Sequence, residues 1–290
     1  MRQKRKESVM RTVLLLCALA VALYVLLISG YLIVSGLPAL RSIGLEKFLF
    51  GTVWAPTKSD APAFGILPLI LTSLYGTAAA IVIGVPIAIL AALFLAKLAS
   101  PRIGAVLDMM VDLLAGIPSV VYGLTGMLVL VPTLRAALDL PAGDSLLASI
   151  LVLAVMILPT VISLSTAALK AVPKEYEEGS LALGATKIET IFLISLRAAR
   201  SGLASAVVLG IGRAIGETMA ILMVAGNVAN LPSLLGSVRF LTTGIAIEMN
   251  YAAPGSLHRQ ALFSIALVLF LFILGINLLL QLLLRRGKEH

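Results

Sequence analysis

The chain has 290 residues, of which 60% are hydrophobic and 12% are charged, and its formal net charge is +8. A soluble globular protein cannot bury that much apolar surface, so the composition excludes that class and predicts a protein that crosses a membrane several times. The single cysteine and the two histidines exclude a disulfide framework and a zinc site built from cysteine and histidine side chains. We therefore expect no metal and no cofactor.

The chain is predicted to begin with a basic cytoplasmic tail at residues 1–12, followed by a first membrane span at residues 13–34. The apolar run is long and lacks a cleavage site formed by small residues, which favours a retained helix over a secretory signal. Residues 35–65 contain more polar residues, proline and glycine, and predict an external loop. Residues 66–284 predict a domain of five further spans, and residues 285–290 predict a second basic tail.

Small residues and prolines mark the second, third and fourth predicted spans, at residues 66–96, 103–131 and 144–169. Small residues recur every four positions in the second span, a pattern that favours close packing of helices. Each span also contains a proline, which predicts a bend or a kink at membrane depth. The small residues are Gly76, Ala80 and Gly84, and the prolines are Pro86, Pro118 and Pro159.

The distribution of positive charge predicts the orientation of the chain. Six spans place both termini on the same side of the membrane. The tails and loops on that side hold fifteen lysine and arginine residues, against six in the segments on the opposite side. Because positively charged residues are enriched in cytoplasmic segments, both termini are predicted to be cytoplasmic. This placement accounts for the net positive charge without a nucleic-acid partner.

Two charged residues lie near the middle of the fifth predicted span, at residues 199–225. A charge at the centre of a spanning helix costs about 2.5–3.5 kcal/mol, so Arg213 and Glu217 require partners or a function. On a continuous helix their spacing of four residues predicts a shared face and partial mutual neutralisation. Such an arginine is suited to bind a tetrahedral oxyanion in a transport pathway. The alternative is a buried ion pair that only fixes packing.

The same span contains a series of small residues at helical spacing. Gly212 and Gly216 are four residues apart, and Gly202 and Ala206 extend the series towards the start of the span. Small residues at this spacing let two helices approach closely. We expect this ridge to contact a neighbouring helix or a second subunit.

Residues 170–200 form the largest predicted cytoplasmic loop, and local signals in it predict two short helices. Pro173 suits the first turn of a helix, and Gly184 suits the left-handed residue that ends one. The sequence from Thr186 to Glu189 has the form of a capping box, which would begin the second helix. The acidic and apolar residues of the first helix indicate either a docking surface for a cytoplasmic protein or an ordinary solvated surface.

This loop resembles the EAA loop of binding-protein-dependent ABC importers. That family has the pattern Glu-Ala-Ala, three residues, Gly, nine residues, Ile-x-Leu-Pro, and residues 178–184 and 194–196 match it in register. Gly179 and Ser180 replace the paired alanines, and Arg197 stands where proline is usual. The resemblance implies that an ATPase docks on this loop. The residues implied for that coupling are Glu175, Tyr176, Glu177, Glu178, Leu181, Gly184 and Ala185.

Residues 114–124 and residues 212–219 together resemble the PstC type of phosphate permease subunits, with similarity over about residues 67–284. The resemblance implies an all-α membrane protein with the six-span transmembrane domain of a type I ABC importer, in the cell or inner membrane of a bacterium or archaeon. It implies that Arg213, Glu217 and Thr218 line the substrate pathway. The implied partners are a PstA-like permease subunit in a heterodimer, a PstB-like ATPase dimer and a PstS-like external phosphate-binding protein.

The chain lacks two motifs that would indicate an enzyme. It contains neither Gly-x-x-x-x-Gly-Lys-Ser/Thr, which cradles the phosphates of ATP, nor the Gly-x-Ser-x-Gly elbow of serine hydrolases. We expect a transport subunit that has no nucleotide-binding or catalytic site and takes its energy from a separate ATPase. The alternatives are the PstA-like half of the same transporter, a permease for another oxyanion such as sulfate or molybdate, a stand-alone secondary carrier, and an intramembrane enzyme or scaffold that binds a lipid phosphate.

Overall fold

The computed structural model describes residues 2–58 and 60–286. This part of the chain consists of helices, loops and one antiparallel hairpin of two-residue strands, β1 (Trp54–Ala55) and β2 (Ala63–Phe64). Three π-helical segments, Phe94–Leu98, Gly126–Leu130 and Thr190–Ser195, continue α3, α5 and α9. The helices are α1 (Arg2–Ile43), α2 (Leu45–Phe50), α3 (Leu67–Leu93), α4 (Pro101–Ala115), α5 (Ser119–Thr125), α6 (Val131–Ala137), α7 (Leu146–Lys170), α8 (Lys174–Ala182), α9 (Lys187–Glu189), α10 (Leu196–Ala198), α11 (Arg200–Gly216), α12 (Met219–Val224), α13 (Leu241–Glu248) and α14 (Leu257–Arg286).

Several helical segments are long and apolar enough to cross a membrane. Two helical stretches, Lys187–Ala198 and Arg200–Gly216, meet at a bend of 70° and qualify together as a broken span. With that pair the number of spans reaches the predicted six, and the class of all-α membrane protein is confirmed. The five other spans are Met10–Ile43, Leu67–Leu98, Ser119–Ala137, Leu146–Lys170 and Leu257–Leu279.

The two ends of the chain differ from the predicted segments. α1 is one helix of 42 residues, so most of the predicted tail, the first span and the start of the predicted external loop are continuous. The remainder of the predicted external loop contains α2 and the β-hairpin. At the other end α14 reaches Arg286, and the rest of the predicted tail, residues 287–290, lies outside the described residues.

The third and fifth predicted spans are broken rather than continuous. α4 and α5 are separated at residues 116–118, where Pro118 has an extended backbone with ψ 139°. α3 and α7, in contrast, continue as helices through Pro86 and Pro159. α11 and α12 are separated at residues 217–218, although no proline is present there. The break between α11 and α12 lies within the segment that was predicted to be one helix.

α3 and α7 pack closely at the centre of the bundle because the residues at their contact are small. A Cβ atom built on Gly84 of α3 would lie 2.9 Å from Ile157 Cδ1 of α7, and Ala80 is fully buried. α11 packs on α7 in the same way, since a Cβ atom on Gly210 would lie 2.6 Å from Val161 Cγ2. The small residues therefore set the distances of α3 and α11 from α7.

α1 is joined to the bundle by α14. Ser264 Oγ donates a hydrogen bond to the Gly36 carbonyl oxygen at 2.6 Å. A Cβ atom on Gly36 would lie 3.0 Å from the Phe263 carbonyl oxygen, so the two backbones approach closely there. Many apolar side chains of α1, such as Leu26 and Val34, are exposed, as expected of a helix that contacts lipid or another subunit.

Candidate anion site and coupling surface

The chain leaves the helical conformation at Glu217, four residues after Arg213. Glu217 has an extended backbone (φ −68°, ψ 131°), and its Oε1 accepts a hydrogen bond from the Ala220 N–H at 2.9 Å. Thr242 Oγ1 of α13 donates a hydrogen bond to the Glu217 carbonyl oxygen at 2.9 Å. These bonds satisfy polar groups of the break within the protein, as irregular backbone at membrane depth requires.

The prediction that Arg213 and Glu217 lie on one helical face is therefore wrong. A spacing of four residues gives a shared face only while the helix continues, and α11 ends at Gly216 between them. Within the described residues no salt bridge joins the two side chains. The Glu217 carboxylate instead caps the first turn of α12, where the free N–H groups favour a negative charge.

Arg213 lies in the last turn of α11 and reaches across to α7. Its Nη1 donates a hydrogen bond to Thr160 Oγ1 at 2.8 Å. A guanidinium has five N–H donors. Among residues 2–58 and 60–286, Arg213 has no carboxylate partner and no second hydrogen-bond acceptor. This half-buried cation therefore keeps free donors and an uncompensated charge, the features that bind an oxyanion.

Thr218 lies in this break, and the two predicted packing glycines, Gly212 and Gly216, precede it. Thr218 is half-buried, and its Oγ1 donates a hydrogen bond to the Gly216 carbonyl oxygen at 3.3 Å. A Cβ atom built on Gly212 or Gly216 would meet no atom of the described chain within 4 Å. Gly202 and Ala206 do pack inside the chain. Contact of Gly212 and Gly216 with a second subunit stays a prediction.

Residues 170–200 contain the predicted helix, glycine turn and helix. α8 begins directly after Pro173, and Gly184 has a left-handed backbone with φ 89°. The capping box is complete, because the Glu189 N–H donates to Thr186 Oγ1 at 3.3 Å and the Thr186 N–H donates to Glu189 Oε2 at 2.8 Å. The prediction is confirmed here because each of these signals acts over only a few residues.

The outer surface of this loop is apolar and acidic. Leu183, one of the apolar residues of the first predicted helix, is 91% exposed beside the glycine turn. An exposed apolar patch of this kind is typical of a surface that binds another protein. Of the predicted coupling residues, Glu175, Tyr176, Glu178, Leu181 and Gly184 are exposed, and Ala185 is half-buried.

Glu177 differs from its neighbours because its side chain points into the protein. Its Oε1 forms an ion pair with Lys97 Nζ and accepts a hydrogen bond from Ser195 Oγ at 2.8 Å. Burial raises the pKa of this carboxyl, but the hydrogen bonds from Lys97 and Ser195 and the charges of Lys97 and Lys174 outweigh burial and lower the pKa below its usual value. The carboxylate is therefore bound within this chain rather than presented on the outer face of α8.

The architecture and the loop agree with a comparison to known proteins. A family model described as "Binding-protein-dependent transport system inner membrane component" matches residues 84–288. The chain belongs to this family. It is thus a multi-pass transport permease subunit, and membership implies that it works with an ATPase and with a substrate-binding protein.

Relatives of the permease are found among bacterial transport proteins. It is 41% identical over 276 residues to the probable ABC transporter permease protein YqgH of Bacillus subtilis, with 93% of this chain and 89% of that protein covered. It is 31% identical over 303 residues to the phosphate transport system permease protein PstC of Haemophilus influenzae, with 98% and 94% covered. The fold is similar to that of the inward-facing MetNI methionine ABC transporter, with a TM-score of 0.57, 19% identity, and 77% of this chain and 94% of that chain covered. The permease therefore has the fold of a type I ABC importer subunit.

A second arginine of the permease, at the end opposite the coupling loop, has a different environment. Arg239 Nη1 forms an ion pair with Glu248 Oε1 at 2.5 Å, and its Nε donates to the Asn227 carbonyl oxygen at 2.8 Å. The Glu248 carboxylate also accepts a hydrogen bond from Trp54 Nε1 at 2.9 Å and is hydrogen-bonded to His258 Nε2 at 2.8 Å. These contacts join the β-hairpin, α13 and α14 in one polar cluster.

Three residues that hold these sites were not identified from the sequence of the permease. Thr160 and Thr242 belong to no motif, and Lys97 was interpreted only as a cytoplasmic charge. A polar residue inside a predicted span, such as Thr160, is a usable signal because polar groups at that depth require partners. The partners of Thr242 and Lys97 lie in distant parts of the sequence, so no local pattern could have named them.

Proposed function

We propose that this permease is the PstC-type subunit of an ATP-driven importer that moves inorganic phosphate into the cytoplasm. Relatives named as PstC, such as that of Haemophilus influenzae, align with almost the whole chain. The single observation that carries the proposal is Arg213, a cation among the helices whose described partner is a neutral hydroxyl. Such a group attracts an anion strongly where the surrounding dielectric constant is low.

The proposed role of Arg213 is to replace part of the hydration shell of phosphate as the anion crosses the membrane. Its planar guanidinium can donate two parallel hydrogen bonds to two phosphate oxygens. Thr160 orients the side chain without neutralising it, so an incoming anion does not compete with a bound carboxylate. Glu217 and Thr218 shape the break next to this position, and the negative charge of Glu217 limits the affinity for phosphate so that the anion is released.

The proposed assembly contains three further components. A PstA-like subunit forms the second half of the pathway and packs on the open ridge at Gly212 and Gly216. A PstB-like ATPase dimer binds the exposed face of α8 on the cytoplasmic side. This ATPase supplies the energy, because we propose that the permease has no nucleotide-binding or catalytic site of its own. A PstS-like protein delivers phosphate from outside. Both termini are cytoplasmic, and the complex resides in the cell or inner membrane of a bacterium or archaeon.

The proposal is tested by phosphate uptake into vesicles that contain the complete transporter. Arg213→Ala, Arg213→Lys and Glu217→Gln are each expected to reduce uptake while the permease still inserts and assembles with its ATPase. Arg213→Lys belongs in the set because a lysine keeps the charge but cannot form the planar fork. Arg135→Ala, which changes an exposed arginine of α6, is the matched control. Normal uptake by all three variants would reject the assignment of the pathway.

A separate measurement distinguishes phosphate from other oxyanions. Unlabelled phosphate is expected to compete with labelled phosphate for uptake, and sulfate and molybdate in equal excess are expected not to compete. Equal competition by sulfate or molybdate would show a general oxyanion permease instead. Uptake that continues without the ATPase would show a secondary carrier.

A further inference from the structure

The link between α8 and the rest of the permease depends on one inward-facing charge. The side chains of Lys97 and Glu177, which form the ion pair, are 10% and 26% exposed. Ser195, which donates to the same carboxylate oxygen, is fully buried. The other side-chain bond of α8 in the described chain, between Ser180 and Thr190, connects α8 only to the neighbouring segment of its own loop. Within the described residues, the ion pair is therefore the polar side-chain connection from α8 to a helix outside residues 170–200.

Lys97 lies at the inner end of the second span. It belongs to the π-helical segment Phe94–Leu98, which directly continues α3. α3 is a helix from Leu67 to Leu93 and packs closely on α7 through Gly84. A displacement of α8 that keeps the ion pair must therefore move the inner end of α3. Separating the pair instead would leave two partly buried charges without an oppositely charged partner, which is unfavourable.

The outer half of α3 contacts the segment that supports the candidate anion site. Ser73 Oγ of α3 accepts a hydrogen bond from the Leu241 N–H at 2.9 Å, and the ring of Phe240 occupies the space that a side chain at Gly76 would fill. The next residue of α13, Thr242, donates its hydroxyl to the Glu217 carbonyl oxygen at 2.9 Å. A continuous series of contacts thus runs from α8 along α3 and through α13 to the break after Arg213.

We propose that Lys97 and Glu177 are positioning residues that lock α8 to α3, so that movement of α8 is transmitted along α3 and α13 to the break at Glu217. The inference rests on the proposed docking of an ATPase at α8, but it does not depend on the identity of the transported anion. It assigns a mechanical role to a carboxylate that sequence similarity placed on the docking face. It also explains why Glu177 is oriented inward while Glu175 and Glu178 are exposed.

The first test compares ATP hydrolysis with phosphate uptake in the complete transporter. Lys97→Met and Glu177→Gln are expected to leave the amount of bound ATPase and the rate of ATP hydrolysis close to normal. Uptake per ATP hydrolysed is expected to fall about 2- to 30-fold, the range by which single residues in such networks change coupling. The exchange of charges, Lys97→Glu with Glu177→Lys, is expected to recover part of the loss.

A second ion pair of the permease provides a matched control. Lys170 and Asp108 form an exposed ion pair at 2.7 Å between α7 and α4, and Lys170→Met with Asp108→Asn is expected to leave the coupling ratio unchanged. If the Lys97 and Glu177 variants lose bound ATPase, hydrolysis and uptake in equal proportion, the pair is merely structural and the proposal is overturned. An unchanged ratio of uptake to hydrolysis in these variants also overturns it.

The second test does not involve the transported anion. In a Cys17→Ala background, which removes the single native cysteine, Thr218→Cys introduces a thiol at the break. The labelling rate of this thiol is expected to change when ATP binds to the complex, and Glu177→Gln is expected to remove that change. If phosphate is not transported but this pattern holds, the proposed cargo is wrong and the link stands. If the response to ATP persists in Glu177→Gln, the link through α3 is wrong.

Discussion

Two arginines of this permease, Arg239 and Arg213, have opposite environments. Arg239 pairs with the Glu248 carboxylate and donates to a backbone carbonyl, and Glu248 is held in turn by Trp54 and His258. Arg213 donates to the hydroxyl of Thr160 and has no carboxylate partner in the described chain. Both side chains are only partly exposed, so the difference lies in the partners rather than in the access of water.

The comparison separates a charge that is used in holding the structure from a charge that we propose binds the anion. A carboxylate that accepts bonds from several side chains fixes the elements that carry them, and an arginine in such a cluster has little capacity for a further anion. An arginine oriented by a neutral hydroxyl keeps its charge available. The same fold therefore contains a cluster around Glu248 that joins the β-hairpin, α13 and α14, and a separate cation, Arg213, whose charge is not paired with a carboxylate in the described chain.

The largest difference between the two sites is expected in transport. Arg213→Ala removes the two charge-assisted hydrogen bonds proposed to hold the anion, and each bond to a charged group contributes about 1.5–3 kcal/mol, so uptake should fall by about 100-fold or more. The thermal unfolding temperature should stay near that of the unchanged permease, because Arg213 has no carboxylate partner to lose. Labelled phosphate uptake and thermal unfolding of the purified protein measure the two effects. A large loss of thermal stability without a loss of uptake would show that Arg213 stabilises the structure and does not bind the anion.

The second effect is expected at the cluster around Glu248 and concerns stability. Arg239→Met leaves the Glu248 carboxylate without its cationic partner, which should lower stability by about 1–3 kcal/mol. Arg239→Met with Glu248→Gln should recover part of this loss, since the unpaired charge is then removed as well. Thermal unfolding of both variants measures the change. If Arg239→Met instead abolishes uptake without changing the unfolding temperature, the outer arginine is the anion site.

A smaller effect is expected at Thr160, which orients Arg213. Thr160→Val removes the hydroxyl at nearly constant volume, and a net hydrogen bond is worth about 1 kcal/mol, so uptake should fall about fivefold. Thr160→Ser keeps the hydroxyl and should retain most of the uptake. Initial rates at several phosphate concentrations separate weaker binding from slower turnover. Equal rates for the valine and serine variants would show that the hydroxyl does not position the guanidinium.

The smallest effect is expected at Trp54, which is one of three donors to Glu248. Trp54→Phe keeps an aromatic ring but removes the indole N–H, and the remaining contacts of Arg239 and His258 still hold the carboxylate. Because Glu248 keeps its bonds to Arg239 and His258, the loss should lie at the lower end of the range for a hydrogen bond, about 0.5 kcal/mol, visible as a shift of about one to two degrees in thermal unfolding. Uptake per folded molecule should be unchanged. A loss as large as that of Arg239→Met would show that the indole, rather than the ion pair, fastens the cluster.

Features that depend on composition or on neighbouring residues could be predicted without the structure. The apolar content required a membrane protein, and Gly184, Thr186 and Glu189 specified the turn and the capping box of the coupling loop. Gly84 indicated the close packing of α3, because a small residue at helical spacing has one main structural use. The motifs near Arg213 and in the loop were also sufficient to indicate the family.

The tertiary structure decided the features that depend on residues distant in sequence. Glu217 leaves the helix where its carbonyl oxygen receives a bond from Thr242, 25 positions later, and Arg213 is oriented by Thr160, 53 positions earlier. Glu177 resembled its acidic neighbours in sequence, but Lys97 and Ser195 turn it inward. A periodic pattern predicts which residues share one face of a helix, but it does not predict which residues of other helices contact that face. The break beside Arg213 and the inward carboxylate were therefore settled by packing between helices and not by local sequence.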